Sequence, residues 1–137
     1  MKQVFQNLKN GNLELIEVPS PLPKKGEVLI QSTFSLISSG TEKMLLEFGN
    51  ADYLSKALKQ PDKVRMVIEK IKSDGILSTY DSVSNKLNQP IPLGYSNVGI
   101  VKKVGEGVNI YKVGDRVVSN GNHAELVTVP INLCAKV

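Results

Sequence analysis

The chain has 137 residues, which is enough for one domain with a buried core. Its 41% hydrophobic and 22% charged residues are ordinary for a globular protein and leave no low-complexity segment to explain. The net charge of +4, from 17 basic and 13 acidic residues, is scattered, and aromatics are only 5%, so a solvated surface is expected and a nucleic-acid partner is not.

Met1 to Gln6 reads as a short strand, and Asn10-Gly11-Asn12 as a hairpin turn. Leu13, Leu15 and Val18 then alternate approximately. Pro19, Pro21 and Pro23 remove backbone donors, so residues 19–25 should run as an extended connector. Val28 to Ile37 is rich in β-branched and aromatic residues and predicts a long strand.

The period changes after residue 40. Glu42 to Phe48 and Asp52 to Leu58 predict short helices. Pro61 suits a first helical turn, with Asp62 favourable at the N-terminus. Val64, Val67, Ile68 and Ile71 form a stripe at helical spacing, Asp74-Gly75 breaks it, and Ile76, Tyr80, Val83 and Leu87 repeat it. Pro90 and Pro92 end the pattern. A helical hairpin over residues 61–89 is expected, packed through Val64, Val67, Ile68, Ile71, Tyr80, Val83 and Leu87. On that reading Ile68→Asp should destabilise it by several kcal/mol.

Strands return at Val98 to Val104, Asp115 to Val118 and Ala124 to Val129, with turns at Gly105-Glu106-Gly107 and Asn120-Gly121-Asn122. The expected class is mainly β (α+β): a β-barrel-like body carrying a helical hairpin inserted at about residues 49–90.

Few residues offer chemistry. Gly105-x-Gly107 is not a dinucleotide fingerprint, because Ile110 stands where the third glycine belongs and no helix follows. It reads as a tight turn with both glycines at positive φ. One His and one Cys cannot furnish a zinc lobe, so no metal is expected. Cys134, between Leu133 and Ala135, reads as a packing residue that forms no internal disulfide. His123 reads as a surface or turn histidine. No apolar run of membrane-spanning length and no leader pattern occur, so a cytoplasmic location with no membrane partner is expected.

The segment Pro92-Leu93-Gly94-Tyr95-Ser96-Asn97-Val98-Gly99-Ile100-Val101 is followed by Val104-Gly105-Glu106-Gly107-Val108 and Val113-Gly114-Asp115-Arg116-Val117. Together they resemble the core of the medium-chain alcohol dehydrogenases and quinone reductases, whose pattern is G-H-E-x-x-G-x-V, V-G-x-x-V and G-D-x-V. Ser38-Ser39-Gly40-Thr41-Glu42 resembles the C-G-T-D signature of the zinc-dependent members. Gly121, Ala124, Glu125 and Val129 resemble the G-x-x-A-E-x-x-x-V segment. The resemblance covers residues 1–48 and 91–137.

That resemblance implies a GroES-like (chaperonin-10-like) fold over residues 1–137. It places Ser39 where a zinc-ligand cysteine would be, Tyr95 at a ligand histidine and Ser96 at the nearby glutamate. Thr41 keeps the hydroxyl that relays a proton. Hydroxyl and phenol are poor zinc ligands at neutral pH, so a zinc-independent reductase is implied. The implied catalytic residues are Thr41, Tyr95 and Ser39. The implied substrate contacts are Ser96, Asn97 and Glu42.

The expected function is that of the N-terminal domain of an NAD(P)-dependent oxidoreductase acting on a carbonyl or sugar derivative. Its partners would be a small-molecule substrate and a cofactor-binding Rossmann domain of the same parent, absent from this chain; the fragment would be inactive alone. A homo-oligomer is compatible with this. The helical insert and the Leu93-Gly94-Tyr95-Ser96 run also resemble a bacterial subgroup fused to a unit of the glucose-fructose oxidoreductase type. The alternative is a non-catalytic GroES-like binding or assembly module.

Overall fold

The computed structural model describes the backbone of residues 1–137 and every side chain except that of Tyr53. The chain order is β1 (Lys2–Asn7), β2 (Leu13–Glu17), β3 (Glu27–Ser35), α1 (Thr41–Asn50), α2 (Tyr53–Lys59), α3 (Pro61–Asp74), α4 (Ile76–Asn88), β4 (Pro90–Pro92), β5 (Asn97–Val104), β6 (Arg116–Ser119), β7 (Leu126–Pro130) and β8 (Cys134–Lys136). The fold is α+β, as expected, but the expected barrel does not close. Among the described residues the strands form two sheets, ordered β2-β1-β4 and β7-β3-β5-β6-β8. The larger sheet ends at β7 and β8, which do not pair with each other. A lone bridge, Gln3 to Ala124, stands outside the named strands.

Two compact units divide the chain. One comprises Met1–Phe5, Glu14–Glu42 and Pro92–Val137; the other comprises Gln6–Leu13 and Lys43–Ile91.

The first unit holds the apolar core. Val28, Ile30, Val101, Val108, Tyr111, Val117, Val127 and Val129 are buried together, and Cys134 packs against them. Val28 and Ile30 alternate along β3, and Val127 and Val129 along β7, so each strand turns one face inward. β3 and β5 run antiparallel, with Ser32 opposite Gly99 and Ser35 opposite Asn97. That register sets the end of β3 beside the start of β5, and the Leu36 N–H donates to the Ser96 carbonyl at 3.1 Å. Burial pushes the Cys134 thiol above its ordinary value, which suits a packing residue better than a nucleophile.

The second unit is helical. Asp52 caps α2 by accepting from the Ser55 N–H at 2.7 Å. Pro61 opens α3, and Gly75, at φ 86, ends it by donating to the Ile71 carbonyl. The Lys56 ammonium lies inside, donating to the carbonyls of Lys9 at 3.0 Å and Gly49 at 2.9 Å. Lysine is rarely buried without such partners, and here it caps one carbonyl at the end of α1 and one in the turn between β1 and β2.

The hairpin forms where the period placed it, but its packing corrects the sequence reading. Val64, Val67, Val83 and Leu87 are half-buried, while Ile68, Ile71 and Tyr80 are exposed. Two helices can bury only the part of each stripe that faces the other. The side chain fully buried on α4 is Thr79, whose Oγ1 donates to the Gly75 carbonyl at 2.8 Å. Ile68→Asp is therefore expected to cost about 1 kcal/mol or less, as at other exposed positions. Thr79→Val should cost at least as much, because it removes a hydrogen bond made by a buried side chain. Urea unfolding midpoints of the two variants check the ranking.

The strand at β4 also escapes the sequence pattern. Pro90 and Pro92 read as terminators, yet both lie in a strand at the edge of its sheet. Proline is tolerated there because one side of an edge strand needs no donors.

Candidate functional site

The antiparallel pairing of β3 with β5 brings two loops together. One leaves β3 and enters α1 through Ser38 to Thr41; the other enters β5 through Gly94 to Ser96. The Tyr95 phenol donates to Thr41 Oγ1 at 3.3 Å. The Ser38 hydroxyl is its second partner, and these two hydrogen bonds, that of Ser38 being the larger influence, hold the Tyr95 phenol below its ordinary value. Burial and the Glu42 charge oppose them. Both hydroxyls can turn to donate to the phenolate, which is why they favour it.

Glu42 ties this turn down. Its Oε1 accepts from the Ser38 N–H at 3.1 Å, and the Glu42 N–H donates to the Ser38 carbonyl at 3.1 Å. Ser38 Oγ in turn accepts from the Thr41 N–H at 3.4 Å. This reciprocal arrangement satisfies donors at the start of α1 in the manner of a capping box. The other carboxylate oxygen meets His123 Nε2 at 3.2 Å, with 11% of the His123 side chain and 7% of the Glu42 side chain exposed.

His123 thus lies at a bend, as a turn histidine would, but its side chain is nearly covered and is not a surface group. Its N–H donates to the Leu93 carbonyl at 2.8 Å, and its carbonyl accepts from the Val4 N–H at 2.9 Å. Gly94, at φ 92, makes room for the ring: a Cβ there would lie 2.6 Å from the His123 nitrogen and 2.7 Å from the ring.

The expected site residues separate into groups. Thr41 and Tyr95 come together. Ser39 is exposed, and the serine that joins the phenol is its neighbour Ser38. Both Glu42 oxygens are already engaged within the protein. Asn97 is buried and turns inward, donating from Nδ2 to Ser32 Oγ at 2.7 Å, while its Oδ1 is buried without a hydrogen bond. Ser96 lines, with Tyr95, an open cleft of about 440 Å³ whose other polar walls are Ser119, Asn120 and Asn132. A second hollow of about 470 Å³ borders Met1, Phe5 and Pro130 and includes neither Tyr95 nor Thr41. Sequence reasoning missed Ser38 and His123. The serine was recoverable, because a serine three residues before the first helical N–H is a capping signal. Nothing local marks the histidine.

Among the described residues, no group of three or more His, Cys, Asp or Glu side chains converges. No helix among them is long and apolar enough to cross a membrane.

Comparison with known proteins bears on the fold. Residues 64–137 match the alcohol dehydrogenase GroES-like domain. Among solved structures, the quinone oxidoreductase of Coxiella burnetii is 20% identical with a TM-score of 0.62, covering 99% of this chain and 36% of that one. A mycobacterial quinone oxidoreductase is 25% identical with a TM-score of 0.59, covering 100% of this chain and 33% of that one. The Escherichia coli quinone oxidoreductase, solved with NADPH, is 18% identical with a TM-score of 0.61, covering 100% and 33%. The chain thus spans about a third of the length of these proteins. The family match runs from α3 through the Tyr95 loop to β8, and on that match the chain belongs to the alcohol dehydrogenase GroES-like domain family, within the medium-chain dehydrogenases and reductases.

Proposed function

We propose that this chain forms the substrate-side wall of a zinc-independent, NAD(P)-dependent oxidoreductase of the cytoplasm, acting on a carbonyl or sugar derivative. The observation that carries this reading is the meeting of the Thr41 and Ser38 hydroxyls with the Tyr95 phenol, which itself lines an open cleft. Three hydroxyls at one point can orient a substrate oxygen and pass it a proton as charge develops. Tyr95 acts as the acid, and Thr41 and Ser38 steady the phenolate left behind. Ser96 lines the same wall. Glu42 and Asn97 serve the scaffold around it, through their bonds to Ser38, His123 and Ser32.

The donor chemistry does not fit zinc. Ser39 offers a hydroxyl and Tyr95 a phenol already bonded to Thr41, and the adjacent carboxylate of Glu42 is committed to His123 and Ser38. Neither alcohol is a good zinc ligand at neutral pH.

A nicotinamide would supply the hydride, held by a separate dinucleotide-binding domain of the parent protein. This chain's own glycine pair, Gly105 and Gly107, joins strands and opens no helix, so it cannot seat a pyrophosphate at a helix N-terminus. Calorimetric titration of the 137-residue chain with NADH and NADPH should therefore give no binding tighter than submillimolar. Micromolar affinity would overturn this division of labour.

The non-catalytic alternative is less well supported. A retired site should be plugged, whereas here open space remains between polar walls at Tyr95, Ser96, Ser119, Asn120 and Asn132 and apolar ones at Val118, Leu133, Cys134 and Ala135.

A further inference from the structure

The geometry points to His123 as a positioning residue for the Tyr95 phenol, acting through Glu42 and the turn from Ser38 to Thr41. This deepens the reading above, in which that phenol is the proton donor.

His123 and Glu42 form a buried pair that the proposed chemistry does not use directly. Their contact is 3.2 Å, and both side chains are almost wholly covered. A carboxylate so placed needs donors on both oxygens, because an unpaired charge in such a site is strongly disfavoured. The Ser38 N–H supplies one and His123 Nε2 the other. The pair therefore fixes where Glu42 sits, and Glu42 fixes the Ser38 backbone. Ser38 and Thr41 are the two hydroxyls that meet the phenol. The chain of hydrogen bonds from the ring to the phenol is thus continuous: His123 to Glu42, Glu42 to Ser38, Ser38 to Thr41 and Thr41 to Tyr95.

The ring is held through Nε2, which meets Glu42, while its Nδ1 is buried without a hydrogen bond. Backbone bonds to Leu93 and Val4 hold both ends of the residue, and the ring lies against Gly94, the residue before Tyr95. Glu125, two residues along, turns its Oε2 to the backbone N–H of Lys2 at 2.8 Å, and Glu42 is the carboxylate in contact with His123. His123 thus braces the Tyr95 loop through Leu93 and the Ser38–Thr41 turn through Glu42. It bears on both members of the site without touching the cleft.

The test is a tyrosine titration of the 137-residue chain labelled with 13Cζ-tyrosine, the Tyr95 signal being assigned by its absence in Tyr95→Phe. In His123→Leu the Tyr95 phenol should titrate higher than in the parent chain. Glu42 keeps its charge but loses a donor, and the Ser38 and Thr41 hydroxyls lose their alignment. His123→Gln should restore the parent titration, because the amide Nε2–H can donate where the ring did. An unchanged Tyr95 titration in folded His123→Leu overturns the inference, and so does a glutamine variant that behaves like leucine. If the leucine variant does not fold, His123→Asn decides instead. Its shorter amide falls short of Glu42, so the phenol should titrate higher than in the parent, and no change overturns the inference. None of these readings involves turnover. A responsive titration with a catalytically silent Tyr95 in the full-length enzyme would therefore sink the proposed function and leave the positioning intact.

Discussion

Tyr95→Phe is expected to lower the turnover of the full-length enzyme by about 10²-fold or more, the usual weight of a positioned general acid. The substitution removes one oxygen and leaves the ring, so the loop from Gly94 to Asn97 has no reason to move. Thr41→Val should act in the same direction by a smaller factor, because Ser38 still supports the phenolate. The pH profile separates the two roles. The donating form of the phenol is lost as pH rises through its folded value, which the Ser38 and Thr41 hydroxyls hold below the ordinary tyrosine range. The alkaline limb of kcat/KM should therefore begin earlier than for an unassisted tyrosine, and Thr41→Val and Ser38→Ala should both move it to higher pH. Steady-state rates across pH check this. Full activity of Tyr95→Phe and Thr41→Val with every accepted substrate would place the chemistry elsewhere.

Gly105→Ala is expected to destabilise the chain by about 3 kcal/mol or more, at the upper end of overpacking effects. The turn that carries Gly105 and Gly107 looked from the sequence like two glycines chosen for positive φ. Only Gly107 has that conformation, at φ 79. Gly105 is needed for closeness: its N–H donates to the Glu27 carbonyl at 2.8 Å, and a Cβ would fall 1.8 Å from the Lys24 carbonyl oxygen. That oxygen belongs to the backbone, so relief requires the connector before β3 to shift. At Gly107 a Cβ would meet nothing nearer than the Lys25 Cε at 4.0 Å, so Gly107→Ala should carry only the conformational strain of about 1–2 kcal/mol. Urea unfolding of both variants should rank Gly105 well above Gly107. The reverse order would show that the turn tolerates a methyl group against Lys24.

The sequence by itself determined the elements whose signal is local. The β-branched and aromatic content of residues 28–37 and the strand run from Ala124 to Val129 are properties of neighbouring residues, and they placed β3 and β7. Which face turns inward, with Val28, Ile30, Val127 and Val129 buried, was decided by the packing of the sheet. The helical stripes and their glycine and proline ends placed α3 and α4 within a residue or two. Motif order carried the family and, with it, the pairing of Thr41 with Tyr95 across 54 positions. What only the tertiary structure decided depends on partners far away in the chain. The stripe of α3 marks which residues are apolar but not how wide a face α4 can cover, so Ile68 was read as core and lies in solvent. Pro90 and Pro92 forbid one set of hydrogen bonds, and only the position of β4 at a sheet edge makes that harmless. Ser38 displaced Ser39 because the helix start fixes which hydroxyl turns toward the phenol. His123 and Glu42 are 81 residues apart. Their pairing arises from the strand order and the bare surface of Gly94, and a histidine beside a turn carries no local sign of it.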